Sequence, residues 1–255
     1  MTAKQKVEVQ ATAPLSPIEN MLDFFGSGDG SKDGLLLDIG CRDGRYARIG
    51  NYLTHLEAVG IDVSIPSQRY SYVSYVKSDL LHLPFKNEVF SHVLIINAFH
   101  HIPHDEKSGA AALIKEGGLE VRRVSRPNSN LLVVEQIFGN PLKKILEDLW
   151  QLLAPSVKRS LGWSLDSPNW ELPETHILFE ELQSSLETAG FKVSKVKRYG
   201  FAILYLGVAI NVLAIACLKP LLSAFESIEI TFVRGFHLTR FSSTVALYLK
   251  RVEHQ

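Results

Sequence analysis

The stretch Leu35-Leu36-Leu37-Asp38-Ile39-Gly40-Cys41-Arg42-Asp43-Gly44-Arg45-Tyr46-Ala47 decides the fold of this 255-residue chain. Its first half is a short apolar run without alternation that starts beside Gly34, and such a run reads as a strand buried on both faces of a parallel sheet. Its second half is a turn bearing Gly40 and Gly44, and glycines there let the backbone pass close to a bound ligand. Arg45 to Leu56 carries Tyr46, Ile49, Leu53 and Leu56 at helical spacing, and Ala58 to Asp62 reads as the next strand. Strand, helix and strand together form a βαβ unit.

Working outward, Val73 to Val76, Val89 to Asn97 and Leu131 to Glu135 are further strands, with a helix around Asp105 to Val124 between the last two. Glu174 to Ala189 has Ile177, Leu178, Leu182 and Leu186 on one side and ends at Gly190, a helix terminator. Phe191 to Val196 follows as a strand, and Ser243 to Lys250 closes the chain as another. This alternation predicts an α/β fold with a mostly parallel sheet. Residues 1–29 read as a loose N-terminal tail with a short amphipathic helix at Ile18 to Phe25, and 30–255 as one domain with helical insertions at about 139–172 and 200–240.

Composition narrows the function. Lys plus Arg and Asp plus Glu each number 27, so no positive field favours a phosphate backbone and nucleic acid is not an expected partner. Hydrophobic residues at 46% and charged residues at 21% exclude a disordered chain. Cys41 and Cys217 lie in unlike contexts, which fits a reducing compartment and a cytoplasmic location. Neither HExxH nor CxxC occurs, and His82, His104 and His176 lack ligand spacing, so no metal site is expected.

The chemistry gathers at strand ends. Asp62 lies 24 residues beyond Asp38, at the carboxyl end of the second strand, where an acid can accept hydrogen bonds from both ribose hydroxyls of an adenosine-type cofactor. Asp79 follows the third strand and Asn97 the fourth. In a doubly wound sheet these ends line one crevice. Each acid also has a plainer role open to it, Asp38 and Asp79 as caps of following turns or helices and Asp62 as a turn residue.

With these residues in view, the sequence resembles the class I S-adenosylmethionine-dependent methyltransferases, in particular the small-molecule group of the methyltransferase type 11 kind. The matching stretches are Leu35 to Ala47, Val59 to Ser64, Ser78 to Ile102 and Arg123 to Gln136, with a weaker match in ETAGFKV and the final strand. The resemblance implies a Rossmann-like, doubly wound sheet of seven strands with an antiparallel last strand. It implies S-adenosyl-L-methionine as cofactor, with Asp38 and Gly40 flanking its methionine part and Asn97 facing it. Asp62 would hold the ribose, Asp79 the adenine amino group and the Leu80 backbone the adenine ring, with Cys41, Arg42, Gly44 and Val63 completing the contact set. His101 and His100 are the nearest candidates for a base if the acceptor carries a proton, followed by Tyr199; either histidine could instead be packed beneath the cofactor.

Three positions depart from the pattern. Arg42 stands where a second glycine is usual, so its side chain must point away from the cofactor or reach the cofactor's carboxylate. Ser91 stands where Asp is frequent, and Pro127-Asn128-Ser129 where a Pro-Gly-Gly turn is common. The expected activity is methyl transfer to a small-molecule or lipid-like acceptor; the alternative is a methyltransferase-like scaffold without catalysis, for which Arg42 is the main argument.

Two apolar segments bear on the acceptor. Pro141 to Leu153 is amphipathic and reads as core packing or a lid. Phe201 to Leu218 is uncharged, but a single membrane crossing between two strands of one sheet is topologically excluded, and residues 221–241 are too polar for a return span. It is expected to form a buried wall of the acceptor pocket or to rest in a membrane interface, with Lys195, Lys197 and Arg198 meeting anionic lipid.

Overall fold

The computed structural model describes residues 9–11, 17–26, 34–67, 69–102, 109–137, 177–199 and 244–252. The expected insertions at 139–172 and 200–240, with Pro141 to Leu153 and Phe201 to Leu218, lie outside them, as do Cys217, His104 and His176.

The strands are β1 (Val9–Ala11), β2 (Leu35–Ile39), β3 (Glu57–Asp62), β4 (Val73–Lys77), β5 (Phe90–Ile96), β6 (Ser125–Gln136), β7 (Phe191–Tyr199) and β8 (Thr244–Arg251). They form one sheet in the order β1-β7-β8-β6-β5-β2-β3-β4. Among the described strands only β8 runs antiparallel to its neighbours, β6 and β7. Seven of the strands make the expected Rossmann-like sheet. The eighth, β1, comes from the segment read as a tail: its backbone pairs in parallel with the outer edge of β7, Val9 opposite Val196. A sheet edge presents unpaired N–H and C=O groups, and this short strand covers part of one.

The helices are α1 (Pro17–Gly26), α2 (Arg45–Thr54), α3 (Gly109–Val124) and α4 (Phe179–Thr188). Because successive side chains on a strand point to opposite faces, each central strand supplies two cores. Leu37, Ile39, Val93, Ile95, Leu131, Val133, Val245 and Leu247 face the side of α3 and α4, meeting Ile114, Val121, Leu182 and Leu186. Leu36, Leu94, Ile96, Leu132 and Val134 face α1 and α2, meeting Met21 and Ala47. The sheet is therefore the middle of three layers, which is why Leu35 to Leu37 of β2 and Val93 to Ile96 of β5 are unbroken apolar runs.

Strand β6 begins earlier than its apolar run because Ser125 pairs with Phe90 before the ladder breaks and resumes at Asn130 opposite His92. Within this break Asn128 has φ 59°, a left-handed conformation that Asn tolerates, in the stretch that replaces the usual glycines.

Strand β7 carries three of the cations expected to meet lipid. Lys195 and Lys197 both reach Asp23 Oδ2 of α1 at 2.8 Å, and both ammonium groups lie over the Tyr248 ring. The Arg198 guanidinium sits 3.8 Å from the centre of the Phe179 ring. Among the described residues no helix is long and apolar enough to cross a membrane.

Candidate cofactor crevice at the ends of β2 to β5

From β2 the chain winds outward to β3 and β4, then returns to place β5 on the other side of β2. Such a reversal opens a crevice beyond the carboxyl ends of the strands, and Asp38, Gly40 and Asn97 lie at this one.

The turn after β2 is held by backbone bonds from Gly40 and Cys41 N–H to Ile61 O, both 2.9 Å, and from Gly44 N–H to Cys41 O at 2.7 Å. Gly40 has φ 72°, and a Cβ there would stand 2.6 Å from the Ala98 Cβ, so only glycine lets the β2 turn approach the segment after β5. Gly44, with φ 79°, lies against the Tyr75 hydroxyl, which donates to Asp43 O at 3.1 Å. Between them Arg42 takes φ 50°. It adopts the glycine conformation without being glycine, and its side chain is exposed.

Asp62 is oriented by the same turn. Its Oδ2 accepts the Arg42 N–H at 2.9 Å and its Oδ1 the Ser64 N–H at 3.0 Å. A carboxylate offers about four lone-pair sites, so the group is fixed in place and keeps acceptor capacity for a pair of hydroxyls. Asp79 is likewise set on one side only, its Oδ1 accepting the Leu81 N–H at 2.8 Å and contacting His82 Nδ1 at 3.2 Å. Leu80 beside it is buried, while Val63 is 65% exposed.

Asp38 and Cys41 play quieter parts. The Asp38 carboxyl is buried, accepts the Ala47 N–H at 2.9 Å, and so ties the end of β2 to the first turn of α2. Burial, with smaller contributions from Asp43 and Asp62, pushes it up to about 7 against the one bond that favours its charge. The Cys41 thiol is raised to about 12 by burial and then by Asp38 and Asp62, so it is a packed thiol and not a nucleophile.

Asn97 ends β5 with φ 52° and donates its backbone N–H to Val134 O at 2.8 Å. Its buried side-chain Oδ1 has no hydrogen-bond partner among the described residues, a costly arrangement that a donor from a bound molecule would relieve. Next come His100, buried, and His101, exposed, with ring centres 3.9 Å apart.

A residue the sequence reading passed over stands behind them. Glu135, at the end of β6 and wholly buried, accepts Ala98 and Phe99 N–H on Oε2 at 3.2 and 2.9 Å. On Oε1 it accepts Gln136 N–H at 2.8 Å and meets His100 Nδ1 at 2.5 Å. The available signal was an acid at the carboxyl end of an apolar strand, the same signal that singled out Asp62. The structure brings together the ends of β2, β3 and β5 by direct contacts and sets Asp79 after β4. The Tyr199 side chain lies outside the described set, and among the described residues no cluster of three or more metal-binding side chains occurs.

The residues fit an adenosyl-amino acid cofactor: a close-approach glycine turn, a fixed carboxylate with spare acceptor sites, and an unpartnered amide oxygen. Comparison with known proteins bears on the fold. The family described as "Methyltransferase domain" matches residues 37–133. Geranyl diphosphate C-methyltransferase from Streptomyces coelicolor A3(2), solved with Mg2+, geranyl diphosphate and S-adenosyl-L-homocysteine, superposes with TM-score 0.58 at 12% identity, covering 92% of this chain and 78% of that one. The cyclopropane synthase MmaA2 from Mycobacterium tuberculosis gives 0.55 at 14% identity, covering 92% and 84%. The [4+2]-cyclase SpnF gives 0.55 at 15% identity, covering 93% and 80%. No curated protein matches the chain by sequence.

Proposed function

We infer from this premise, that residues 37–133 form a methyltransferase domain on the class I S-adenosylmethionine-dependent fold, that the chain transfers a methyl group to a small-molecule or lipid-like acceptor. The observation that carries the reading is the convergence of Asp62, the Gly40 turn and the unpartnered Asn97 Oδ1 on one crevice.

In the proposed complex Asp62 accepts from the ribose hydroxyls and Asp79 from the adenine amino group, while the Leu80 backbone flanks the ring. Asp38, Gly40 and Asn97 border the methionine part, with Cys41, Gly44 and Val63 shaping the walls. The exposed Arg42 guanidinium reaches the cofactor's carboxylate as a charge-assisted partner. When bound, the cofactor supplies an electrophilic methyl on a sulfonium. The chain's own contribution is position: methyl transfer is an in-line displacement, and holding the acceptor at the right angle can supply several kcal/mol of the barrier, out of roughly 7 to 11 for full orientation. Where the acceptor carries a proton, His101 or His100 receives it.

Geranyl diphosphate, the ligand of one structural neighbour, makes a polyprenyl diphosphate a reasonable first acceptor to try, beside lipid-linked sugars and isoprenoid quinone precursors. The test is transfer of labelled methyl from S-adenosylmethionine to a panel of these compounds by the full chain. Label appearing in an extractable product supports the reading. Cofactor binding without transfer to any member would favour the second reading, a scaffold without catalysis, to which Arg42 in a glycine conformation lends its one observation.

A further inference from the structure

We propose that the Glu120–Arg123 pair of α3 is a positioning unit that sets Asp79 and Leu80 for the adenine end of the cofactor, and so fixes a preference for adenine over a purine that lacks its amino group. The inference rests on the methyltransfer reading above and on its placement of adenine at Asp79.

The loop from Ser78 to Val89 joins β4 to β5 and contains neither helix nor strand. Its backbone groups must find partners outside a ladder, and α3 supplies several. Glu120 Oε2 accepts the Leu83 N–H at 3.1 Å. Arg123 donates from Nη2 to Leu83 O at 2.8 Å, and from Nη1 to Phe85 O at 2.7 Å and Asn87 Oδ1 at 3.1 Å. The two side chains also lock each other, Arg123 Nε on Glu120 Oε1 and Nη2 on Oε2, both at 2.8 Å. This is the planar fork on a carboxylate that a guanidinium makes and an ammonium does not. One group thus holds three loop residues, while the carboxylate that orients it takes a further loop bond.

The clamp lies just beyond the candidate adenine residues. Leu80 packs against α3 one turn before Glu120, where a Cβ at Gly117 would stand 2.9 Å from the Leu80 side chain. Asp79 is fixed by bonds inside the loop: its Oδ1 accepts the Leu81 N–H and contacts His82 Nδ1, and Ser78 Oγ donates to His82 O at 2.7 Å. Those bonds travel with the loop if it shifts. At its start the loop is tied to β3 by the Ser78 N–H on Asp62 O at 3.0 Å; after Asp79 the Glu120–Arg123 pair supplies the side-chain ties to the domain. A hydrogen bond weakens steeply as its distance and angle depart from the optimum, so a loop released from α3 forfeits the bond from the adenine amino group to Asp79.

The test is titration calorimetry of two ligands, S-adenosylhomocysteine and its purine analogue with hydrogen in place of the amino group, into the full chain. Wild-type protein should bind S-adenosylhomocysteine about tenfold or more tightly than the analogue, the worth of one charge-assisted hydrogen bond. In Arg123→Gln, with melting curves confirming the fold, S-adenosylhomocysteine should weaken and the ratio of the two affinities fall to about threefold or less. A merely structural pair, whose loss loosens the domain as a whole, would weaken both ligands alike. An unchanged ratio in folded Arg123→Gln would therefore overturn the proposal. Equal binding of the two ligands by the wild type would overturn both the placement of adenine at Asp79 and the proposal. If Arg123→Gln does not fold, Arg123→Lys, which keeps the charge without the fork, is judged by the same ratio. Should neither fold, amide exchange of the wild-type Leu83 N–H decides: saturating S-adenosylhomocysteine should slow it more than the saturating analogue does, and equal slowing would overturn the proposal. Failure of the methyltransfer reading is recognised separately, as wild-type protein that binds neither ligand.

Discussion

The Arg42 backbone N–H and the Asp62 carboxylate are joined at 2.9 Å, so the one non-glycine in the β2 turn's left-handed sequence is also the residue that aims the candidate ribose acid. An L-residue in this region costs about 1 to 2 kcal/mol, and that cost is borne at the mouth of the crevice by a long cationic side chain.

Arg42→Gly removes that strain but loosens the unfolded chain, two effects of similar size and opposite sign. Stability by urea denaturation should therefore change by no more than about 1 kcal/mol. Affinity for S-adenosylmethionine should stay equal or weaken, while affinity for its decarboxylated analogue should not change. Binding that appears only in the variant would instead favour the scaffold reading.

Asp38→Asn tests the buried carboxyl. Its folded pKa of about 7 lies above the ordinary 3.8, so the stability it contributes is present at low pH and is lost as pH rises through that window. Asparagine can still accept the Ala47 N–H through its carbonyl oxygen. The melting temperature of the cofactor-free variant should exceed that of the wild type at pH 8, and the gap should close toward pH 5. A gap that widens on acidification would refute the sign of this effect.

Asp23→Asn tests the latch between α1 and β7. Burial alone would raise Asp23, but hydrogen bonds and charge from Lys195 and Lys197 outweigh it and hold the carboxyl down at about 2. Stability from this group is present above pH 3.8 and is lost as pH falls toward 2. Since the pair is partly solvated, the variant should lose about 1 kcal/mol or less at pH 7. Urea denaturation of both proteins at pH 7 and pH 2.5 should show the difference shrinking in acid.

The βαβ unit was legible because local signals agreed: an apolar run, a glycine turn, helical spacing and an acid at the next strand's end all lie within Leu35 to Asp62. Asn97 was legible by position, though not the burial of its Oδ1, which depends on packing. Glu135 escaped because its surroundings are three backbone N–H groups and the His100 ring, whose directions no sequence pattern encodes. Val9–Ala11 escaped because a three-residue strand carries no periodicity and is specified by the edge it covers. The pairing of Lys195 with Asp23 spans 172 residues, and cations that read as a lipid-facing cluster are met inside the domain.

The most direct test of the central claim, that an adenosyl-amino acid cofactor lies across the ends of β2, β3 and β4, is titration calorimetry of S-adenosylhomocysteine into wild-type protein and Asp62→Ala, with melting curves confirming that the variant folds. Two charge-assisted hydrogen bonds of roughly 1.5 to 3 kcal/mol each are at stake, so the account predicts binding to the wild type and at least a tenfold weaker Kd in the variant. Equal affinity in the two proteins would contradict it.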